Sequence, residues 1–186
     1  MEFIVNMLMR WCERSGRVMK ITGTAGPDDV YLIRYYVVRS RWCNIFVHQF
    51  LRSDKDDLHD HPWDFCTYLV KGAYTENRWN EKAGKVEATR RCNMMYDDYM
   101  HEVRLRQNTF VFRRATDQHQ VVVDRDLKEK DKDQAALTLF ISGPTKREWG
   151  FIQEFPPGQG LTGATVRKWI DWRTYLGLPK DTPGRG

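Results

Sequence analysis

Apolar residues recur along this chain in two rhythms. Near the start they fall at helical spacing: Phe3, Met7 and Trp11 share one face with Leu8 beside them, and Ser15-Gly16 closes a short helix over residues 1–14. From residue 18 onward the pattern shortens to runs of β-branched and aromatic residues. Val18–Thr22, Tyr31–Arg39 and Asn44–Leu51 read as strands, the last two joined by Ser40-Arg41-Trp42. A polar loop over 52–57 leads into Leu58-His59-Asp60-His61-Pro62-Trp63-Asp64, and the apolar strand that follows ends at Gly72. Ala73–Trp79 and Lys85–Cys92 read as a hairpin about a turn at 80–84. His101 falls in a polar stretch, and Thr109–Arg113, Gln118–Asp124, Ala136–Ser142 and Arg147–Ile152 are further strands. Turn-forming clusters stand at 23–28 and 156–160. The mixed charges of 126–134 predict an exposed loop, and residues from Pro179 a frayed tail. Trp169, Trp172, Tyr175 and Leu176 are expected to pack back on the body of the protein. Many short strands with polar turns and no long internal helix predict an all-β sandwich or barrel. The expected layout is one domain over 1–186, with the barrel at about 18–155 and a C-terminal extension at 156–186.

Composition narrows the class. A chain of 186 residues, 41% hydrophobic and 13% aromatic, can bury a sizeable core and is not wholesale disordered. The formal charge of +5 comes from 30 basic and 25 acidic residues that are interspersed, which fits a solvated mixed surface and not a nucleic-acid footprint. Cys12, Cys43, Cys66 and Cys92 show no short paired spacing, so neither a zinc ribbon nor a CxxC redox pair is present. The first ten residues are apolar but carry Glu2 and Asn6, without a basic leader or a small-residue cleavage site. No apolar run reaches membrane-spanning length. These features predict a cytoplasmic protein with free thiols and no membrane partner.

The chemistry centres on His59 and His61. On an extended segment side chains alternate, so residues one apart project from the same face and two imidazoles there can chelate one divalent ion. His119, after the Phe-rich strand at 109–113, is the third candidate among the chain's five histidines. His48 and His101 read as ordinary core or surface histidines. Asp60, Asp64 and Asp117 stand where they could accept from imidazole N–H groups, with a turn role favoured for Asp117. Arg34, Arg52 and Arg147 are candidates for holding an anion, and Trp63, Tyr68 and Tyr74 for lining a pocket mouth.

His59-x-His61, Gly72 and the later His119 resemble the two cupin motifs over roughly residues 31–142. The resemblance implies a double-stranded β-helix jelly roll with His59, His61 and His119 as metal ligands. The second motif departs from the family, with Arg114 and Thr116 at its usual proline and glycine turn positions. No acidic ligand follows at the expected place, Asp64 standing slightly early, so the pattern implies a three-histidine site. Around the first motif the chain is similar to cysteine dioxygenase. That implies Cys66 as the thioether cysteine and Arg34 near the arginine that holds the substrate carboxylate. Leu137, Leu139 and Ile141 replace the family's Ser, His and Tyr, so the cross-linking tyrosine is absent. Cys66 then reads as a small buried hydrophobe instead.

The expected function is a metal-binding cupin, a mononuclear non-heme Fe(II) oxygenase acting on a small, anionic molecule. Imidazoles also accept Zn, Cu, Ni or Mn. The alternatives are a non-catalytic metal- or ligand-binding module and a cupin isomerase or epimerase with a histidine base. A homodimer through strand edges is expected by analogy alone.

Overall fold

A computed structural model of the chain describes residues 1–22, 29–54, 57–79, 100–155 and 166–181. The turns expected at 23–28, 80–84 and 156–160, the strand at 85–92 with Cys92, part of the loop at 52–57 and the last residues of the tail lie outside the described residues. Among the described residues α1 (Glu2–Arg14) precedes the strands β1 (Val18–Thr22), β2 (Val30–Arg39), β3 (Asn44–Phe50), β4 (Phe65–Lys71), β5 (Ala73–Trp79), β6 (Met100–Arg106), β7 (Phe110–Arg113), β8 (His119–Val122), β9 (Ala136–Ser142), β10 (Gly150–Phe155) and β11 (Val166–Asp171). A final helical turn spans Trp172–Tyr175. The charged stretch expected as a loop contains a 3-10 helix, Glu129–Gln134, with no buried residue.

The strands form two antiparallel layers. One sheet runs β1-β2-β3-β9-β4-β7; the other begins β6-β5-β8. His59 bridges the second sheet to β10-β11, pairing with both His119 and Phe151. His59 and His119 exchange backbone bonds of 3.1 and 3.0 Å, Asp60 N donates to Gly150 O at 3.0 Å, and Ile152 N donates to Leu58 O at 2.7 Å. Residues 58–61 therefore act as one more strand between β8 and β10. The chain passes between the sheets at Gly72, where φ is +78° and an added Cβ would meet Ala136 Cα at 3.1 Å. Strands that alternate between two facing antiparallel sheets make the double-stranded β-helix, the jelly roll of cupin type.

Three differences from the sequence reading are physical. First, β6 occupies the stretch read as polar around His101; Val103 and Leu105 alternate there with Arg104 and Arg106, a period of two, and Leu105 is buried. Second, α1 buries Val5, Met9 and Cys12, leaving Phe3, Met7 and Trp11 exposed. Glu2, Asn6, Arg10, Glu13 and Arg14 share one face of this helix, and the apolar arc on the rest is wider than the stripe that packs. Val5 and Cys12 are small enough to let α1 close on Ile33, Tyr35 and Val47. Third, β11 from the expected C-terminal extension pairs with β10 along Gly150–Phe155 and so enlarges the second sheet. The aromatic residues there do pack back: Trp172 stacks on Trp149 at 5.8 Å and Tyr175 on Phe151 at 3.8 Å.

Cys12, Cys43 and Cys66 are free thiols. Among the described residues no helix is long and apolar enough to cross a membrane.

Candidate metal centre

Alternation along residues 59–61 places His59 and His61 on the inner side of the barrel and Asp60 on the other. The bridge to β8 brings His119 beside them. The three ring centroids form a nearly equilateral triangle, 5.3 Å for His59–His61, 5.2 Å for His59–His119 and 5.0 Å for His61–His119. One ligand nitrogen from each ring lies within 4.8 Å of the other two, so the group could hold one metal ion. His61 Nε2 and His119 Nε2 are 2.8 Å apart. Two nitrogens bound at right angles, each about 2.1 Å from a shared ion, would stand about 3.0 Å apart, so the spacing fits with little adjustment.

The far nitrogens of two rings face carboxylates. His59 Nδ1 lies 3.2 Å from Asp54 Oδ2, and His119 Nδ1 lies 3.6 Å from Glu76 Oε1. Both Nδ1 atoms are buried, and neither makes a hydrogen bond of good geometry. A carboxylate behind Nδ1 favours the tautomer that keeps its proton there and leaves Nε2 bare for a cation. Glu76 is itself anchored by Arg113 Nη2 at 2.7 Å and Arg78 Nη2 at 2.8 Å. Burial works to raise the Glu76 carboxyl, but His119 and Arg78 outweigh it and hold the group below its ordinary value. Burial, followed by neighbouring His119, lowers His59 to about 3 and pushes His61 well below the usual imidazole range. Rings held this low, those of His59 and His61, are neutral near pH 7, the form a metal requires.

Residues of the triad border two spaces that share part of their lining. A cavity of about 430 Å³ is lined by His59, His61, Arg34, Trp63, Trp149 and Trp172. A smaller one of about 80 Å³ shares His59, His61 and Arg34 and reaches His119, Tyr74 and Thr138. Arg34 and Trp63 line the larger space, while Tyr74 is buried at the smaller one.

Other expected positions are corrected. Cys66 and Tyr68 lie on the opposite face of β4 from Phe65 and Thr67, which are the residues of that strand turned to the triad. Cys66 stands between Phe112 and Ile141 on the outer face, and Tyr68 donates to Asn108 Oδ1 at 2.8 Å. The likeness to cysteine dioxygenase fails at this point, because a side chain on the outer face cannot reach the centre. Asp60 does not support an imidazole. It is buried, accepts from Gly150 N at 2.8 Å and Trp169 Nε1 at 3.0 Å, and pairs with Arg147. Asp64 accepts from Ala115 N at 2.8 Å and pairs with Lys146, while Asp117 caps a turn by accepting from Arg114 N at 2.9 Å. Arg147 is committed to Asp60, and Arg52 to Asp29.

Sequence reasoning missed Asp54, Glu76 and His48. For Asp54 and His48 nothing in the local pattern separates them from surface residues, because their partners, His59 and Arg34, are brought to them only by the fold. For Glu76 one signal existed: an acidic residue in mid-strand at an inward position of β5 is unusual unless it is paired.

No protein-family model matches the chain, and no curated protein matches it. Among solved structures it is similar to the Fe(II) form of HppE (11% identity, 67% of this chain and 55% of that one, TM-score 0.44). It is also similar to an uncharacterised protein with a double-stranded β-helix domain from Klebsiella pneumoniae (11% identity, 67% and 86%, TM-score 0.43). A third is uridine-bound PAC13 from Streptomyces (4% identity, 71% and 79%, TM-score 0.44). The chain spans little more than half the length of the HppE structure. On its own sheet order and side-chain geometry, this protein is a cupin-type double-stranded β-helix with three imidazoles arranged so that they could hold one metal ion.

Proposed function

We propose that this protein is a mononuclear metal-dependent oxygenase that uses Fe(II) held by His59, His61 and His119 and acts on a small anionic molecule in the cytoplasm. The observation that carries the reading is the convergence of three imidazoles beside a cavity large enough for a small substrate. Three neutral ligands leave the ion its full charge and coordination positions for a guest, unlike a structural zinc site closed by four protein ligands. An Fe(II) ion so held supplies redox chemistry with dioxygen. The chain's own residues do the rest. Asp54 and Glu76 orient two rings, Arg34 offers its guanidinium to an anion, and Trp63, Trp149 and Trp172 wall the cavity against water.

As the base of a metal-free isomerase His59 would be a weak proton acceptor at neutral pH, its imidazole lowered to about 3 by burial and then by His119. Metal analysis of the purified full chain, followed by oxygen-electrode assays of the Fe(II)-loaded protein with small thiols, amino acids and keto acids, tests the reading. Iron at one equivalent with oxygen uptake on at least one substrate class supports it. Tight metal binding with no uptake would point to a binding module instead.

A further inference from the structure

His48 is not part of the triad, yet it is buried at the wall of the smaller cavity. It faces Arg34 directly across β2 and β3, and Thr138 across β9. Its ring is gripped by Phe46 at 5.8 Å, Phe140 at 4.9 Å and Phe50 at 6.1 Å. Arg34 Nε donates to His48 Nε2 at 3.1 Å. An arginine can only donate, so Nε2 of His48 must be bare and the ring neutral with its proton on Nδ1. Burial and then Arg34 itself push His48 well below the usual imidazole range, which keeps the acceptor available.

The consequence lies at the other end of Arg34. A guanidinium has two edges that can take a carboxylate in bidentate fashion: the side edge, through Nε and one Nη, and the end edge, through both Nη groups. His48 occupies Nε and so removes the side edge. Phe46 lies 5.0 Å from Arg34 Cζ and restrains the plane of the group. No described carboxylate forms an ion pair with Arg34, whereas Arg52, Arg113 and Arg147 each have one. Arg34 therefore keeps its charge and its end edge for a ligand in the cavity it shares with His59 and His61.

We propose that His48 is a positioning residue that locks Arg34 so that its end edge receives the carboxylate of a ligand bound beside the triad. The proposal rests on the metal-centre reading for its ligand but not for the lock, and two measurements separate them. In the metal-free full chain, the Arg34 Nε–H resonance is expected to be protected from exchange in wild type and in His48→Gln, whose amide oxygen can accept. It is expected to exchange freely in His48→Leu. In the Co(II)-loaded chain, thioglycolate and 2-mercaptoethanol are titrated by the cobalt absorption bands, one thiol carrying a carboxylate and the other none. Wild type is expected to prefer thioglycolate by about ten-fold or more, the worth of one charge-assisted pairing. His48→Leu and Arg34→Gln should lose that preference while still binding 2-mercaptoethanol, and His48→Gln should keep most of it. Equal exchange in wild type and His48→Leu, or an unchanged thiol preference in His48→Leu, overturns the positioning role. A protected Nε–H in a chain that takes no cobalt would uphold the lock and overturn the metal centre and the carboxylate subsite with it.

Discussion

At His59 and His119 the nitrogen turned away from the shared centre meets a buried carboxylate, and the two carboxylates are not equivalent. Asp54 is buried and lies 3.2 Å from His59 Nδ1. Glu76 serves His119 while also pairing with Arg113 and Arg78. Asp54→Asn should thus weaken metal retention by about 10- to 100-fold with a modest change in stability, measured by competition with a chelator. Glu76→Gln should do the same and also lower the unfolding midpoint, since Arg113 would be left buried beside a neutral partner. At Cys66 the expectation is the reverse. Its outward position between Phe112 and Ile141 means that Cys66→Ala should leave metal content unchanged and shift stability by no more than about 0.5 kcal/mol.

On the scale of elements, the centre depends on how residues 58–61 are held. This segment is zipped to β8 on one side and to β10 on the other. Asp60 fastens it from behind through Gly150, Trp169 and Arg147. Gly150 allows the close approach: a Cβ there would stand 2.1 Å from Ile170 O and 2.8 Å from Trp169 Cε2. Gly150→Ala should force β10 and β11 apart and cost about 2–3 kcal/mol in equilibrium unfolding. It should also weaken metal binding, although the substituted residue touches no ligand. Retained affinity at reduced stability would show that β8 alone orients the histidines.

For the whole molecule, the apolar clusters that join α1 to β2 and β3, and β5 to β6 and β8, contain no metal ligand. Replacing His61 by Ala should therefore abolish metal retention while leaving the far-ultraviolet circular dichroism of a β protein intact. Acid should act more broadly. An unfolded histidine takes its proton near 6.5, whereas folded His59 resists until about 3, and His48 and His61 are lowered in the same direction. Between these values the unfolded chain binds more protons than the folded one. The stability these groups contribute is present above pH 6.5 and is lost as pH falls towards 3. Denaturant titrations of metal-free protein at pH 7 and at about pH 5 should show a lower midpoint in acid, and His48→Gln should reduce the difference.

Local pattern determined a good deal of this protein. Period-two alternation marked most strands, the glycine at the β4–β5 corner and the aromatic C-terminal segment, and the His-x-His spacing alone set two imidazoles on one side of an extended chain. His119 could be named because histidines are few and a β-run follows it. What stayed out of reach depended on partners distant in sequence. Alternation shows that Cys66 and Phe65 lie on opposite faces of β4, but not which face is inward; the pairing with β7 and β9 decides that. Helical spacing offered α1 several apolar stripes, and packing against the sheet chose Val5, Met9 and Cys12. Asp60 beside two histidines looks like their support until β10 and β11 claim it, while Asp54, Glu76 and His48 gain their roles only across strands. Sequence spacing governs neighbours along one strand, and tertiary packing governs what those neighbours face.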